Sequence, residues 1–202
     1  MLKRGFDIIF SFLGLMILAP LLLLIAFGIK VGSPGPVFYR GVRVGRKGKL
    51  FKIYKFRTMI MNAEASGVSS TSLEDKRVTK IGKLLRAYKI DELPQLINIL
   101  KGEMSFVGPR PQVKWATDLY SQKEKAILSV RPGLTDWASI KFHNEGDILS
   151  GSNDPDKDYL KKIHPEKTRL QLAYVNNQSF WVDIKIIAKT LWIIAQRKNQ
   201  SA

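Results

Sequence analysis

A chain of 202 residues with 33 Lys and Arg against 17 Asp and Glu, a formal charge of +16, is long enough to bury one real core and calls for a polyanionic partner. Nucleic acid, an anionic membrane face and phosphorylated substrates all fit that surplus. The lack of cysteine excludes disulfides and thiolate metal sites, and the lone, widely separated His143 and His164 read as ordinary polar residues rather than metal ligands.

Residues 8 to 29 carry no charge, about the length of apolar chain that a membrane-spanning helix needs and more than a signal-peptide core. Asp7, just before the run, belongs at the interface because hydrocarbon would penalise it. Pro20 falls mid-run; it cannot donate to the carbonyl of Met16, and its ring clashes there, so a bend is predicted. Lys3 and Arg4 precede the run, Lys30 follows it, and a dense basic segment begins at Arg40, which assigns the C-terminal flank to the cytoplasmic side. Two topologies remain open: a bent helix that enters and leaves by one leaflet, and a straight span with its N-terminus outside.

Val37 to Val44 and Leu50 to Phe56 are rich in β-branched and aromatic residues, and Gly45-Arg46-Lys47-Gly48 between them predicts a hairpin turn. Arg40, Arg43, Arg46, Lys47, Lys49, Lys52, Lys55 and Arg57 form a ribbon without a single acid. Such a ribbon suits anionic headgroups, and Lys55 and Arg57 suit a diphosphate. Residues 62 to 76 are polar and Ser-rich, a loop. From Thr79 a helical pattern resumes, with Ile81, Leu84, Leu85 and Tyr88 on one face and Lys80, Lys83, Arg86 and Lys89 around the other. A face of that kind either packs into a core or lies on a membrane.

The stretch from Lys89 to Pro111 is the most informative. Asp91 and Glu92 stand at the predicted start of a helix, Pro94 fits its first turn, apolar residues follow at helical spacing, and Gly102 marks its end. Residues 112 to 130 read as another helix, Arg131-Pro132-Gly133 breaks it, and LTDWASIKF reads as a short extended piece. An acidic group, Glu145, Asp147, Asp154, Asp156 and Asp158, lacks the spacing of a calcium loop and reads as solvated. Phe180 to Gln196 is a helix whose Trp181 and Trp192 suit an interface.

Adjacent acids among many cations, with no Ser/His or Cys/His arrangement, point away from protease-like catalysis and towards phosphoryl transfer. A carboxylate can serve as the nucleophile, and a helix dipole at Asp91 would keep it ionised. Glu92 is placed to hold Mg²⁺ against phosphate oxygens. Arg110, stiffened by Pro109 and Pro111, presents a planar fork for phosphate. The competing reading is that Asp91 is only a helix N-cap.

The runs FKIYKFRTM (51 to 59), DELPQLINILKGEMSFVGPRP (91 to 111) and RPGLTDWA (131 to 138), in this order and spacing, resemble the bacterial sugar transferase family, the monotopic phosphoglycosyl transferases. That resemblance implies a mixed α/β, helix-dominated fold: a re-entrant membrane helix over 1–31 bent at Pro20, then a catalytic domain over 32–202 with a small β-hairpin and interfacial amphipathic helices. It implies transfer of a phosphosugar from a UDP-sugar to polyprenyl phosphate at the cytoplasmic face of the bacterial inner membrane. Asp91 would be the nucleophile, Glu92 with Asp91 would hold Mg²⁺, and Lys55, Arg57, Arg86, Arg110 and Arg131 would meet phosphate or nucleotide. Small, catalytic-domain-only members match this length, a homodimer is allowed, and nucleic acid is not the expected partner.

Three departures stand out. Ala19 precedes the proline where many members have Ser, Asp136 replaces a glycine, and Gln171 stands where some relatives carry an acid. A membrane-anchored scaffold that binds anionic lipid through its basic face is the alternative from another class. A soluble nucleic-acid binder fits the charge but not the apolar N-terminus.

Overall fold

The computed structural model describes residues 2–63, 75–144, 148–149, 152 and 154–200. Most of the predicted Ser-rich loop, and Glu145 and Asp147 of the acidic group, lie outside the described residues. Asp158 of that group pairs with Lys162 at 2.8 Å.

Helix α1 (Leu2–Gly32) extends the apolar run at both ends and stays helical through Pro20, which faces outward. Asp7, Ser11, Ile25 and Ile29 are buried, with Leu15, Leu18, Leu22 and Ala26 partly covered, a stripe at three- and four-residue spacing. The other face leaves Ile9, Ile17, Leu23, Leu24 and Phe27 exposed, Ile17 at 75%. By length and composition α1 can cross a membrane. Asp7, expected at the membrane interface because hydrocarbon would penalise it, is buried in protein, where its Oδ1 accepts from Ser105 Oγ (3.0 Å) and from the Phe106 amide (3.1 Å).

Strands β1 (Phe38–Tyr39), β2 (Val42–Val44), β3 (Leu50–Lys52) and β4 (Lys55–Phe56) form the predicted hairpin. β2 pairs with β3 and β1 with β4 in one continuous antiparallel register, closed by Gly45–Lys49. Helix α2 (Lys80–Ala87) begins at Thr79, whose side chain accepts from the Gly82 amide. Its apolar face divides: Leu85 is buried and Ile81 packs on α1, while Leu84 and Tyr88 are exposed. Lys89, with φ of 57°, ends α2 in the left-handed region and turns the chain into a 3-10 turn, Ile90–Glu92. Helix α3 (Gln95–Lys101) follows and stops at Gly102, where φ is 83°.

β5 (Ser105–Val107) pairs in parallel with β6 (Gly133–Thr135). A Cβ on Gly133 would lie 2.1 Å from the Gly108 amide nitrogen, so only glycine permits this approach. The helix expected over 112–130 is instead α4 (Lys114–Asp118) and a separate 3-10 run, Glu124–Ser129. A capping box explains the restart: the Ser121 amide donates to Glu124 Oε2, and the Glu124 amide donates to Ser121 Oγ. The expected extended LTDWASIKF is strand only as far as Thr135. Asp136 then caps α5 (Trp137–Lys141) by accepting the Ser139 amide at 2.6 Å.

Helix α6 (Pro155–Asp158) leads through a π turn, Tyr159–Ile163, into α7 (His164–Asn177), and α8 (Phe180–Gln200) contains the predicted C-terminal helix. One apolar cluster joins α1, α2 and the hairpin, a second joins α1, α3 and the hairpin, and a third joins β5, α7 and α8.

Candidate active site

Three separate segments bring side chains to the start of α3. β4 delivers Lys55, the 3-10 turn delivers Asp91 and Glu92, and the stretch after β5 delivers Arg110 between two prolines. Lys55 Nζ donates to Glu92 Oε1 at 2.7 Å, Arg110 Nη1 donates to Oε2 at 3.0 Å, and Arg110 Nη2 donates to Oε1. Burial by itself would raise the Glu92 pKa. Arg110 and Lys55 outweigh it and hold this carboxyl well below the usual carboxylate range.

Asp91, its neighbour, has the opposite environment. It is buried, and among the described residues no hydrogen bond reaches its carboxylate. Burial pushes its pKa up; Lys55, Lys89 and Arg86 oppose that rise, and the Glu92 charge adds to it. The N-cap reading therefore falls: Pro94 occupies the cap of α3, and no side chain bonds there. Burial outweighs each neighbouring charge in setting the Asp91 pKa.

Arg86 reaches the site from the last turn of α2. Its Nε donates to Thr58 Oγ1 at 2.8 Å, and burial lowers its pKa. Arg57 and Arg131 are directed elsewhere. Arg57 donates to the carbonyl of Ser33 (2.8 Å), to Ser33 Oγ (2.9 Å) and to the Pro34 carbonyl, fastening the exit of α1. Arg131 Nε donates to the Gly102 carbonyl at 2.9 Å, at the far end of α3 from Asp91.

Some residues of the site were not singled out from sequence. Asn98 is fully buried; it accepts from the Tyr54 amide (2.9 Å) and donates to the Lys52 carbonyl (2.9 Å) and Glu103 (2.7 Å), locking the hairpin onto α3. Its signal was a polar residue inside the apolar run LINIL. Thr58 positions Arg86, and Gln95, buried one turn beyond Asp91, has an Nε2 without a partner among the described residues.

Among the described residues no three His, Asp or Glu side chains gather as a self-sufficient metal cage. Asp91 and Glu92 match instead the sparse carboxylate set with which proteins hold Mg²⁺ when phosphate oxygens complete its shell. The unbonded Asp91 carboxylate is compatible with that set. Glu92, already gripped by two cations, has less to offer. Chemically, the arrangement sets a carboxylate without a hydrogen bond among the described residues within a cationic surround, suited to attack on a phosphorus whose leaving group is an anion.

Comparison with known proteins agrees with this chemistry. The family model for bacterial sugar transferases matches residues 1–197. A UDP-N-acetylgalactosamine-undecaprenyl-phosphate N-acetylgalactosaminephosphotransferase of Aeromonas hydrophila is 37% identical over 94% of this chain and 43% of its own length. A UDP-glucose:undecaprenyl-phosphate glucose-1-phosphate transferase of Escherichia coli K12 is 38% identical over 95% of this chain and 40% of its own. An exopolysaccharide production protein of Rhizobium leguminosarum is 39% identical, with 94% of this chain and 93% of the relative aligned. The chain thus spans about two fifths of the Aeromonas and Escherichia relatives and nearly all of the Rhizobium one. From its sequence and from the carboxylate pair it presents, this chain belongs to the bacterial sugar transferase family.

Proposed function

We propose that this protein transfers a phosphosugar from a UDP-sugar to undecaprenyl phosphate through a covalent intermediate on Asp91. The observation that carries the reading is the contrast within the pair: Glu92 is gripped by Lys55 and Arg110, while Asp91 is buried and, among the described residues, nothing bonds to its carboxylate. An Asp91 oxygen attacks the phosphorus that bears the sugar, the bridging P–O bond breaks, and UMP leaves with the bond's electron pair. An oxygen of the lipid phosphate then attacks the same phosphorus and releases the Asp91 carboxylate, giving polyprenyl-diphosphate-sugar. Lys55, Arg86 and Arg110 offset the charge of the diphosphate throughout. Asp91, with a smaller share from Glu92, would hold Mg²⁺, which would supply further neutralisation of phosphate oxygens.

The exposed apolar face of α1 supports membrane association, and several contacts favour entry and exit by one leaflet. Near its start, Arg4 donates to the carbonyls of Ile99 (2.6 Å) and Leu100 (2.9 Å), and Lys3 donates to the Val107 carbonyl at 2.9 Å. Past its end, Ser33 and Pro34 are held by Arg57. A straight span would put these two ends on opposite sides of a bilayer, yet one body grips both. The catalytic body, 32–202, then lies at the cytoplasmic face of the bacterial inner membrane, as its positive charge favours.

Purified protein in detergent or nanodiscs, given Mg²⁺, undecaprenyl phosphate and a panel of UDP-sugars, should release UMP and form lipid-linked diphosphosugar with at least one donor. A folded, membrane-bound protein that releases no UMP from any donor would reject the reading in favour of a lipid-binding scaffold.

A further inference from the structure

Asp136 and Gln171, both departures from the family pattern in sequence, touch one another. Gln171 Nε2 donates to Asp136 Oδ2 at 3.1 Å, and both residues are buried, at 1% and 0% exposure. The same Oδ2 accepts the backbone amide of Arg110 at 3.2 Å, while Oδ1 accepts the Ser139 amide at the start of α5. A helix cap needs one acceptor, and an uncharged Ser or Asn supplies it. The second oxygen of Asp136 therefore does something the cap does not require. It ties the Arg110 backbone to α7 through Gln171.

Arg110 is well suited to control from its backbone. Pro109 and Pro111 flank it and leave its own N–H as the one amide of the three that can be held. Its guanidinium forks onto Glu92. A fully buried carboxylate is costly unless donors surround it, and the three donors here are uncharged amides from three different segments. We propose that Asp136 is a positioning residue: with Gln171 it fixes the backbone of Arg110, so that the guanidinium fork stays on Glu92 while Asp91 reacts. This rests on the proposed transfer reaction. It makes the two departures from the family pattern one paired feature.

The test is a double-mutant cycle on UMP release, with kcat, KM and the unfolding midpoint measured for wild type, Asp136→Asn, Arg110→Ala and the double variant. Asp136→Asn should lower kcat by on the order of tenfold with KM for the UDP-sugar changed by less than about twofold. On the Arg110→Ala background the same change should cost less than about twofold, because its route to the chemistry is gone. A full loss repeated on that background, or a lowered midpoint with unchanged kcat, overturns the proposal. Should Asp136→Asn fail to fold, Gln171→Leu removes one donor only; a roughly threefold loss of kcat is expected, again absent beside Arg110→Ala, and its persistence there counts against the proposal. Amide hydrogen exchange at Arg110 gives a readout that needs no turnover. Protection should fall in Asp136→Asn and Gln171→Leu, and unchanged protection in both overturns the positioning claim even where wild type releases no UMP.

Discussion

The two ends of α3 use basic side chains in opposite ways. At the C-terminal end, Arg4 and Arg131 donate to the carbonyls of Ile99, Leu100 and Gly102, acceptors exposed where the helix stops. At the N-terminal end, Lys55 and Arg110 hold one carboxylate, and Arg86 adds its charge to the surround of another. The first arrangement satisfies backbone and fixes α1 to the body. The second creates an imbalance between neighbours, with Glu92 held low and Asp91 pushed up. A cation's role here follows from what its tip reaches, not from its type or its nearness to a motif.

Asp91→Asn should produce the largest effect, loss of UMP release by about a thousandfold or more, since it removes the nucleophile. The same variant should unfold at a higher temperature than wild type at neutral pH, because a buried charge is gone; each kcal/mol gained raises the midpoint by about 2–4 °C in a chain of this size. Arg110→Ala should come next, with turnover falling by about a hundredfold, the scale of losing a preorganised charge contact. Lys55→Ala should lower turnover less, because Arg110 still grips both oxygens of Glu92.

Changes at the opposite end should divide stability from turnover. Arg4→Ala is expected to cost about 1–3 kcal/mol by denaturant titration, the scale of hydrogen bonds from a charged donor, with kcat within about twofold of wild type. Arg131→Ala should destabilise similarly and reduce turnover far less than Arg110→Ala. Equal losses of kcat at Arg131 and Arg110 would erase the distinction between the ends.

The smallest expected effect is a pH dependence. The folded-state pKa of Asp91 is raised above its unfolded value, so its ionised form destabilises the fold at neutral pH. As pH falls through the raised pKa the folded protein takes up this proton first, and the penalty disappears by the ordinary aspartate value. The stability advantage of Asp91→Asn should therefore be greatest at neutral pH and vanish on acidification. Glu92 behaves in the reverse sense: its depressed pKa stabilises above the ordinary glutamate value, and that contribution is lost as pH falls below it. Unfolding midpoints of wild type, Asp91→Asn and Glu92→Gln from pH 7 to 4 would separate the two slopes.

Much of the scaffold was legible in the chain because its signals are local. The apolar run, the Gly45–Gly48 turn, the Thr79 start and the Gly102 stop each follow from conformational preferences of a few residues. The capping boundary at Ser121 and the cap at Asp136 were also local, but a continuing apolar pattern masked them. What sequence could not divide was one arginine from another. Arg57 lies two residues from Lys55 and Arg131 opens a family motif, yet their guanidinium groups reach backbone carbonyls. Asp7 and Lys3, flanks of the apolar run in sequence, bond to residues about a hundred or more positions away. Long-range partners of this kind leave no periodicity to read.

The central claim is tested most directly by intact-protein mass spectrometry after rapid mixing with a UDP-sugar and Mg²⁺ in the absence of lipid phosphate. The protein should gain the mass of one phosphosugar, lose it when undecaprenyl phosphate is added, and never gain it as Asp91→Asn. A stable adduct on the Asp91→Asn protein, or lipid-linked product formed by that variant at the wild-type rate, would contradict the account.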